Sequence, residues 1–123
     1  MSYVQRVSIP LTTDAAGAAT AYSETVTGRI LQVRYVKTDF ANGVDFVVTS
    51  EATGEIIWDE DNVNADATRA PRQATHDTVG VASVYAAGGA AVNDYIAVAN
   101  DRIKVVVAAG GDTKTGVVYV LLG

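Results

Sequence analysis

Along most of this chain apolar and polar residues alternate with a period of two, as in strands that turn one face inward, and no stretch carries a 3.6-residue period over the length of a helix. The closing quarter has the strongest pattern. Arg102 to Ala108 reads R-I-K-V-V-V-A and Lys114 to Leu122 reads K-T-G-V-V-Y-V-L-L, joined by Ala109-Gly110-Gly111-Asp112-Thr113. Branched and aromatic side chains pack well on a pleated surface and the link tolerates positive φ, so a hairpin is expected here. Ile103 to Val107 and Val117 to Leu121 are continuously apolar. Both faces of that pair are therefore expected to be covered, one by the core and the other by the irregular segment around Glu60 to Asp94 or by another subunit.

Upstream, Tyr3 to Ile9 alternates, with Tyr3, Val7 and Ile9 on one side, and is expected to end at or beside Pro10, which lacks a ladder donor. A turn at Asp14-Ala15-Ala16-Gly17 leads into an extended piece from Ala18 to Val26. Gly28 then opens a separate strand, Arg29 to Lys37, with Leu31, Val33 and Tyr35 on one face and Ile30, Gln32, Arg34 and Val36 on the other. Asn42-Gly43 is a strong turn signal before Val44 to Thr49, where Val44, Phe46 and Val48 share a face. A second turn at Glu51 to Gly54 precedes Glu55 to Asp59, so these three strands are expected to form a meander. Tyr95 to Ala99 restarts the sheet and Asn100-Asp101 turns it.

Glu60 to Asp94 breaks the pattern. Asn62, Asn64, Pro71, His76, Gly80, Gly88 and Gly89 punctuate it, and only Val81 to Tyr85 has the composition of a short strand. Loops beyond about 12 to 15 residues are uncommon in compact domains and are usually functional or disordered. The segment is read as a long irregular excursion that lies on a neighbouring molecule or on a binding face. The whole is expected to be one all-β domain over residues 1–123, an antiparallel sandwich or small barrel of seven or eight strands, jelly-roll-like.

Composition narrows the function classes. The chain is 49% hydrophobic, but with only two Phe, one Trp and one Met its core must rest on many small branched contacts, which makes partner subunits an expectation. Nine basic against fourteen acidic residues leave a net charge of -5, which argues against a nucleic-acid partner. There is no cysteine for disulfide or thiolate chemistry. Gln5 and Arg6 stand where a secretory leader would be apolar, and no run of about eighteen apolar residues would span a membrane.

Candidate chemistry is sparse. His76, the only histidine, has Asp77 as its one near carboxylate, and no nucleophile can be assigned to it from sequence. The run Asp59-Glu60-Asp61-Asn62-Val63-Asn64-Ala65-Asp66 offers oxygen ligands for calcium but lacks the central glycine and terminal glutamate of an EF-hand loop. A solvated loop capping a strand end is the plainer reading, and charge neutralisation across an interface by Arg69 and Arg72 is a third. Gly88-Gly89 and Gly110-Gly111 lack the Gly-Lys-Ser/Thr or following helix of a phosphate loop. Trp58 with Tyr3, Tyr22, Tyr35, Tyr85, Tyr95 and Tyr119 suits a sugar-stacking platform or, equally, core rims and subunit contacts. No catalytic, cofactor or metal residue is assigned.

The opening V-S-I-P-L-T-T-D-A-A-G-A-A-T-A-Y, the segment V-T-G-R-I-L-Q-V-R-Y-V-K at Val26 to Lys37, the phrase A-P-R-Q-A-T-H-D at Ala70 to Asp77 and the ending D-R-I-K-V-V-V-A-A-G-G-D-T-K-T-G at Asp101 to Gly116 together resemble a group of small structural proteins of tailed bacteriophages. That resemblance implies a non-enzymatic virion component of the capsid decoration, or cement, type. Its expected partners are the major capsid protein or other virion proteins and further copies of itself, with a trimer at a local three-fold axis as the symmetry the role suggests. It would be made in the host bacterial cytoplasm and sit on the capsid surface. Carbohydrate or host-surface binding, or a place in the tail, is the alternative. Contacts are expected from the first 28 residues and the excursion, with Tyr3, Pro10, Trp58, Arg69, Arg72, His76 and Tyr85 as the candidate interface residues.

Overall fold

In the computed structural model, which describes residues 3–123, every regular element is a strand, and every pairing is antiparallel. The strands are β1 (Gln5–Thr12), β2 (Ala19–Lys37), β3 (Asp45–Ser50), β4 (Ile56–Glu60), β5 (Ala67–Arg69), β6 (Gln73–Ala74), β7 (Asn93–Asp94), β8 (Ile96–Ala108) and β9 (Thr115–Leu122). Seven of them form one sheet in the order β1-β9-β2-β8-β3-β4, with β5 on β2. The path does not close into a barrel, since β1 and β4 are its two ends.

Two strands are much longer than their sequence pattern predicts. Ala18 to Val26 and Arg29 to Lys37 are not separate strands; they run together as the 19-residue β2. Tyr95 to Ala99 and Arg102 to Ala108 likewise merge into the 13-residue β8. Bulges conceal the continuity. In β2 the register shifts between Tyr22 and Thr25, between Val26 and Gly28, and between Ile30 and Gln32. The inward positions change phase accordingly, from Ser23 to Val26 and Ile30 and then to Val33 and Tyr35. A bulge adds one residue to one strand, so alternation read straight through it changes face. This is why Ile30, expected opposite Val33, is fully buried with it, while Leu31 is only half-buried. In β8 Asn100, at φ 51°, moves the inward set from Ile96 and Val98 to Ile103, Val105 and Val107.

The expected closing hairpin does not form. β8 and β9 flank β2 instead, β8 pairing with Ala19 to Ile30 and β9 with Ile30 to Lys37. The first turn behaves in the same way, because β9 lies between β1 and β2. The two arches interleave and their tips meet. Gly110 N–H donates to Gly17 O at 2.9 Å, Thr13 Oγ1 donates to Gly111 O at 2.6 Å, and Lys114 N–H donates back to Thr13 Oγ1 at 2.7 Å. A Cβ at Gly17 would stand 2.9 Å from the backbone nitrogen of Gly111. The glycines of the link thus serve close backbone approach between two arches rather than a tight hairpin.

The expected meander is also only half formed. β3 pairs with β4 through the Glu51 to Gly54 turn, but its other neighbour is β8, not β2. Pro10 does not end the first strand, which continues to Thr12; β1 is an edge strand with a partner only on its β9 side, where a proline is tolerated. Tyr3 is 73% exposed and does not join Val7 and Ile9 in the core.

One cluster of side chains fills the inward face of the curled sheet. Val7, Ile9 and Leu11 of β1 and Val118, Val120 and Leu122 of β9 join Val105 and Val107 of β8 around an aromatic group. Tyr35 lies 4.6 Å from Phe46, and Trp58 stacks on Phe46 at 5.1 Å with 17° between the rings. Tyr35 on β2 and Phe46 on β3 are not sheet neighbours, so the sheet must fold over to bring them together. The Tyr35 hydroxyl is buried and has no hydrogen-bond partner among the described residues. Burial, then the nearby charges of Asp66 and Asp39, push its pKa up to about 12.

Two stability tests follow from this packing. Gly17→Ala and Gly54→Ala both place a side chain at positive φ, at a cost of about 1–2 kcal/mol, but only Gly17 meets backbone at close range. In urea titrations Gly17→Ala should be the more destabilising by about 1–3 kcal/mol, the usual overpacking cost. Tyr35→Phe removes a buried unpaired hydroxyl and is expected to raise stability by about 1 kcal/mol, seen as a higher urea midpoint with unchanged slope.

Candidate functional site

The stretch read as an irregular excursion divides into two unlike parts. Its first third belongs to the body: Val63 and Ala67 are buried and β5 pairs with Val33 to Tyr35 of β2. The acidic run is held by bonds within the chain. Asp66 accepts from Lys37 N–H at 2.8 Å, Asn64 Oδ1 from Gly43 N–H at 2.6 Å, and Asp45 from Asn62 N–H at 3.0 Å. No group of three or more His, Cys, Asp or Glu side chains among the described residues is placed to hold a metal ion. Arg69 is spent on its own chain, its Nε and Nη2 donating to the two carboxylate oxygens of Glu60 at 2.8 and 2.9 Å. Glu60 also accepts from the Trp58 indole at 3.0 Å. The Arg69 hydrogen bonds, with that from Trp58, hold the Glu60 carboxyl down at about 2.

Residues 70–94 form an arm in which no residue is buried. The expected strand Val81 to Tyr85 is absent as such; two isolated bridges, His76 with Ala82 and Val84 with Ala91, take its place. β6 and β7 make a short stem, and beyond it the arm branches into two small loops. The branch point is a ring of three backbone hydrogen bonds: Thr75 N–H to Val92 O at 2.9 Å, Val92 N–H to Ser83 O at 3.0 Å, and Ser83 N–H to Thr75 O at 3.0 Å. Thr75 Oγ1 adds a fourth bond to Val92 O at 2.8 Å. Backbone groups otherwise left to water are thereby satisfied inside a segment with no core of its own.

The first loop is closed by Asp77, whose Oδ1 accepts from Val79 and Val81 N–H, both at 3.0 Å. Asp14 does the same for Ala16 and Ala18 at the β1–β2 arch. The shared pattern Asp-x-x-Gly, at Asp14 to Gly17 and Asp77 to Gly80, is a sequence signal that marks this loop. The second loop turns at Ala86 to Gly89. Between them the loops expose Val79 at 80%, Val81 at 60%, Val84 at 42% and Tyr85 at 76%.

At the base, Arg72 and Arg29 both stand over the ring of Tyr95, at 4.2 and 5.0 Å. Arg72 Nη1 also donates to Leu31 O at 3.2 Å, and Arg29 Nε to Gly123 O at 3.2 Å. The cation–π stack and these bonds join the arm to the middle of β2.

Of the residues singled out from sequence, the structure brings three onto the arm: Arg72 at its base, His76 in the first loop and Tyr85 in the second. Tyr3 lines a notch with Val4, Arg29, Leu31 and Gly123 near that base. Pro10 is exposed in the middle of β1, and Arg69 lies on β5. Trp58 is 6% exposed and belongs to the core, so it offers no face to a sugar or a partner. Val79, Val81 and Val84 are not among the residues picked from sequence, because a valine carries no polar or aromatic signal that would single it out. Comparison with protein-family models, with curated proteins and with solved structures finds no match to this chain.

The Glu60 bonds predict a pH dependence. A carboxyl depressed in the folded state contributes stability that is full above its unfolded value of 4.5 and is lost as pH falls toward about 2. Urea midpoints should therefore fall across that window, and fall less in Glu60→Gln. An equal fall in both proteins would show that this carboxyl does not contribute.

Proposed function

We propose that this chain is a non-enzymatic structural protein of a tailed-bacteriophage virion, one that decorates and stabilises the capsid through contacts between subunits. The folded-over sheet is read as an open, jelly-roll-like sandwich serving as a rigid body that carries the arm. The arm is the observation that supports this reading. Among the described residues, four of the eight exposed large apolar side chains, Val79, Val81, Val84 and Tyr85, lie on its two loops, where they contribute nothing to the core. Apolar groups held out on a backbone-bonded scaffold are best accounted for by burial against a neighbouring molecule. Further copies of this chain and the capsid shell are the partners this role requires, with a trimer as its simplest symmetry.

The test uses shells assembled without this protein. The wild-type chain is expected to co-sediment with them and to raise their melting temperature. The double variant Val79→Ser with Tyr85→Ser should keep its own urea stability to within about 0.5 kcal/mol, as exposed positions do, while its shell affinity falls by tenfold or more, about 1.4 kcal/mol. Failure of the wild-type chain to bind shells, or its absence from assembled particles, would overturn the proposal.

A further inference from the structure

A second surface of this molecule has a different chemistry. The outward face of β1, β9, β2 and β5 is built from aligned rows: Arg6 beside Leu121 beside Gln32, and Ser8 beside Tyr119 beside Arg34 beside Thr68. A third row, Pro10 beside Val117 beside Val36, is apolar. Between the first two rows lies a cleft of about 190 Å³ lined by Arg6, Gln32, Arg34, Tyr119 and Leu121. The Arg6 guanidinium stands 5.6 Å from the centre of the Tyr119 ring. Arg34 donates from Nη1 to Thr68 Oγ1 at 2.7 Å, and its Nη2 is 3.7 Å from an Asp66 oxygen, beyond hydrogen-bonding distance. Among the described residues Arg6 has no carboxylate within 4.0 Å, and neither have Arg29 and Arg72 toward the arm base. A smaller notch of about 100 Å³, with Arg29 in its lining, is formed by residues just before β1, in β2 and just after β9.

On a chain with net charge -5, this face concentrates guanidinium groups with unused donors. Such forks match the two oxygens of a carboxylate. The cleft is smaller than the roughly 300–1,000 Å³ of a typical small-molecule site, and so is suited to one side chain. A sugar needs neutral donors and acceptors for its hydroxyls, and of the five lining residues only Gln32 and the Tyr119 hydroxyl supply them. Half-buried Val117, Tyr119 and Leu121 continue the surface along β9 as an apolar strip.

We propose that this cleft seats the carboxylate of a glutamate or aspartate from an acidic protein partner, held by the Arg6 and Arg34 guanidinium groups in the cleft that Tyr119 helps to line, with the β9 strip covered by the same partner. It rests on the reading above only in taking a neighbouring protein as the occupant. The partner so described presents an acidic side chain on an otherwise apolar patch. Its chemistry is distinct from that which the apolar arm would meet.

The test is a titration of the full-length, isotope-labelled protein by nuclear magnetic resonance, with no shells present, so that it can fail independently of the decoration reading. The probe is N-acetylglutamate amide, its neutral control N-acetylglutamine amide, and a third arm uses glucuronic acid. The glutamate probe should give saturable shifts at the Arg6 and Arg34 Nε–H and the Gln32 side-chain amide. The glutamine control should bind at least tenfold more weakly, and the glutamate response should fall tenfold or more in Arg6→Gln with Arg34→Gln. Equal responses to the charged and neutral probes, no localised shifts, or undiminished binding by the double variant would overturn the site. Tighter binding of glucuronic acid than of the glutamate probe would overturn the assignment to a protein side chain.

Discussion

The structure depends on the pairing of β2, a 19-residue strand that needs partners along its edges and an inward face that is apolar from Val26 to Tyr35. No single neighbour meets both demands. β8 pairs with its first part, and β9 and β5 take the two edges of its last part. Bulges keep Val26, Ile30, Val33 and Tyr35 pointed inward as the strand bends from one set of neighbours to the next. Both long partners come from the last third of the chain, so the body closes only when the C-terminal strands slot in on either side of β2. Folding by such non-local pairs is intrinsically slower than by local hairpins.

The arm obeys the opposite rule. Body residues are ordered by burial, with Tyr35, Phe40, Phe46 and Trp58 as the few large side chains around which the valines pack. Residues 70–94 bury nothing fully and are ordered by backbone hydrogen bonds, the Asp77 cap and the stack of Arg29 and Arg72 on Tyr95. Side chains on the two loops are therefore released from any duty to the fold. Electrostatics divides the surface in a comparable way. Glu60 with Arg69 and Glu51 with Arg102 are satisfied pairs, and hydrogen bonds from the partner guanidinium hold both carboxyls below their ordinary range. Arg6, on the outer face, has no such partner among the described residues.

What the sequence carries most plainly is local. Alternation marks the inward residues of β1 and β3, namely Val7 and Ile9, and Phe46 and Val48, whereas the continuously apolar β9 leaves its inward face unmarked. The all-β class and the turns at Asp14 to Gly17, Glu51 to Gly54 and Ala109 to Thr113 are legible in the same way, since side-chain periodicity and φ preference act within a few residues. The arm's first loop is legible too once Asp77 to Gly80 is set beside Asp14 to Gly17. Alternation misleads at Ile30 and Leu31 because an unseen bulge reverses the face.

Tertiary structure alone decided the neighbours. Backbone hydrogen bonds are the same for every residue except proline, so an apolar strand says that it will be paired but not with which strand. The hairpin expected from Arg102 to Leu122 is thus opened by β2, and Asn42-Gly43 turns the chain without joining β2 to β3. The same distinction settles Trp58, whose fate as core rather than surface depends on Phe46 lying beneath it, and Arg6 and Arg34, which become one cleft only because β9 brings β1 and β2 to its two sides. Periodicity determines which face of a strand turns inward; only the packing of distant strands determines what that face, and the one behind it, will meet.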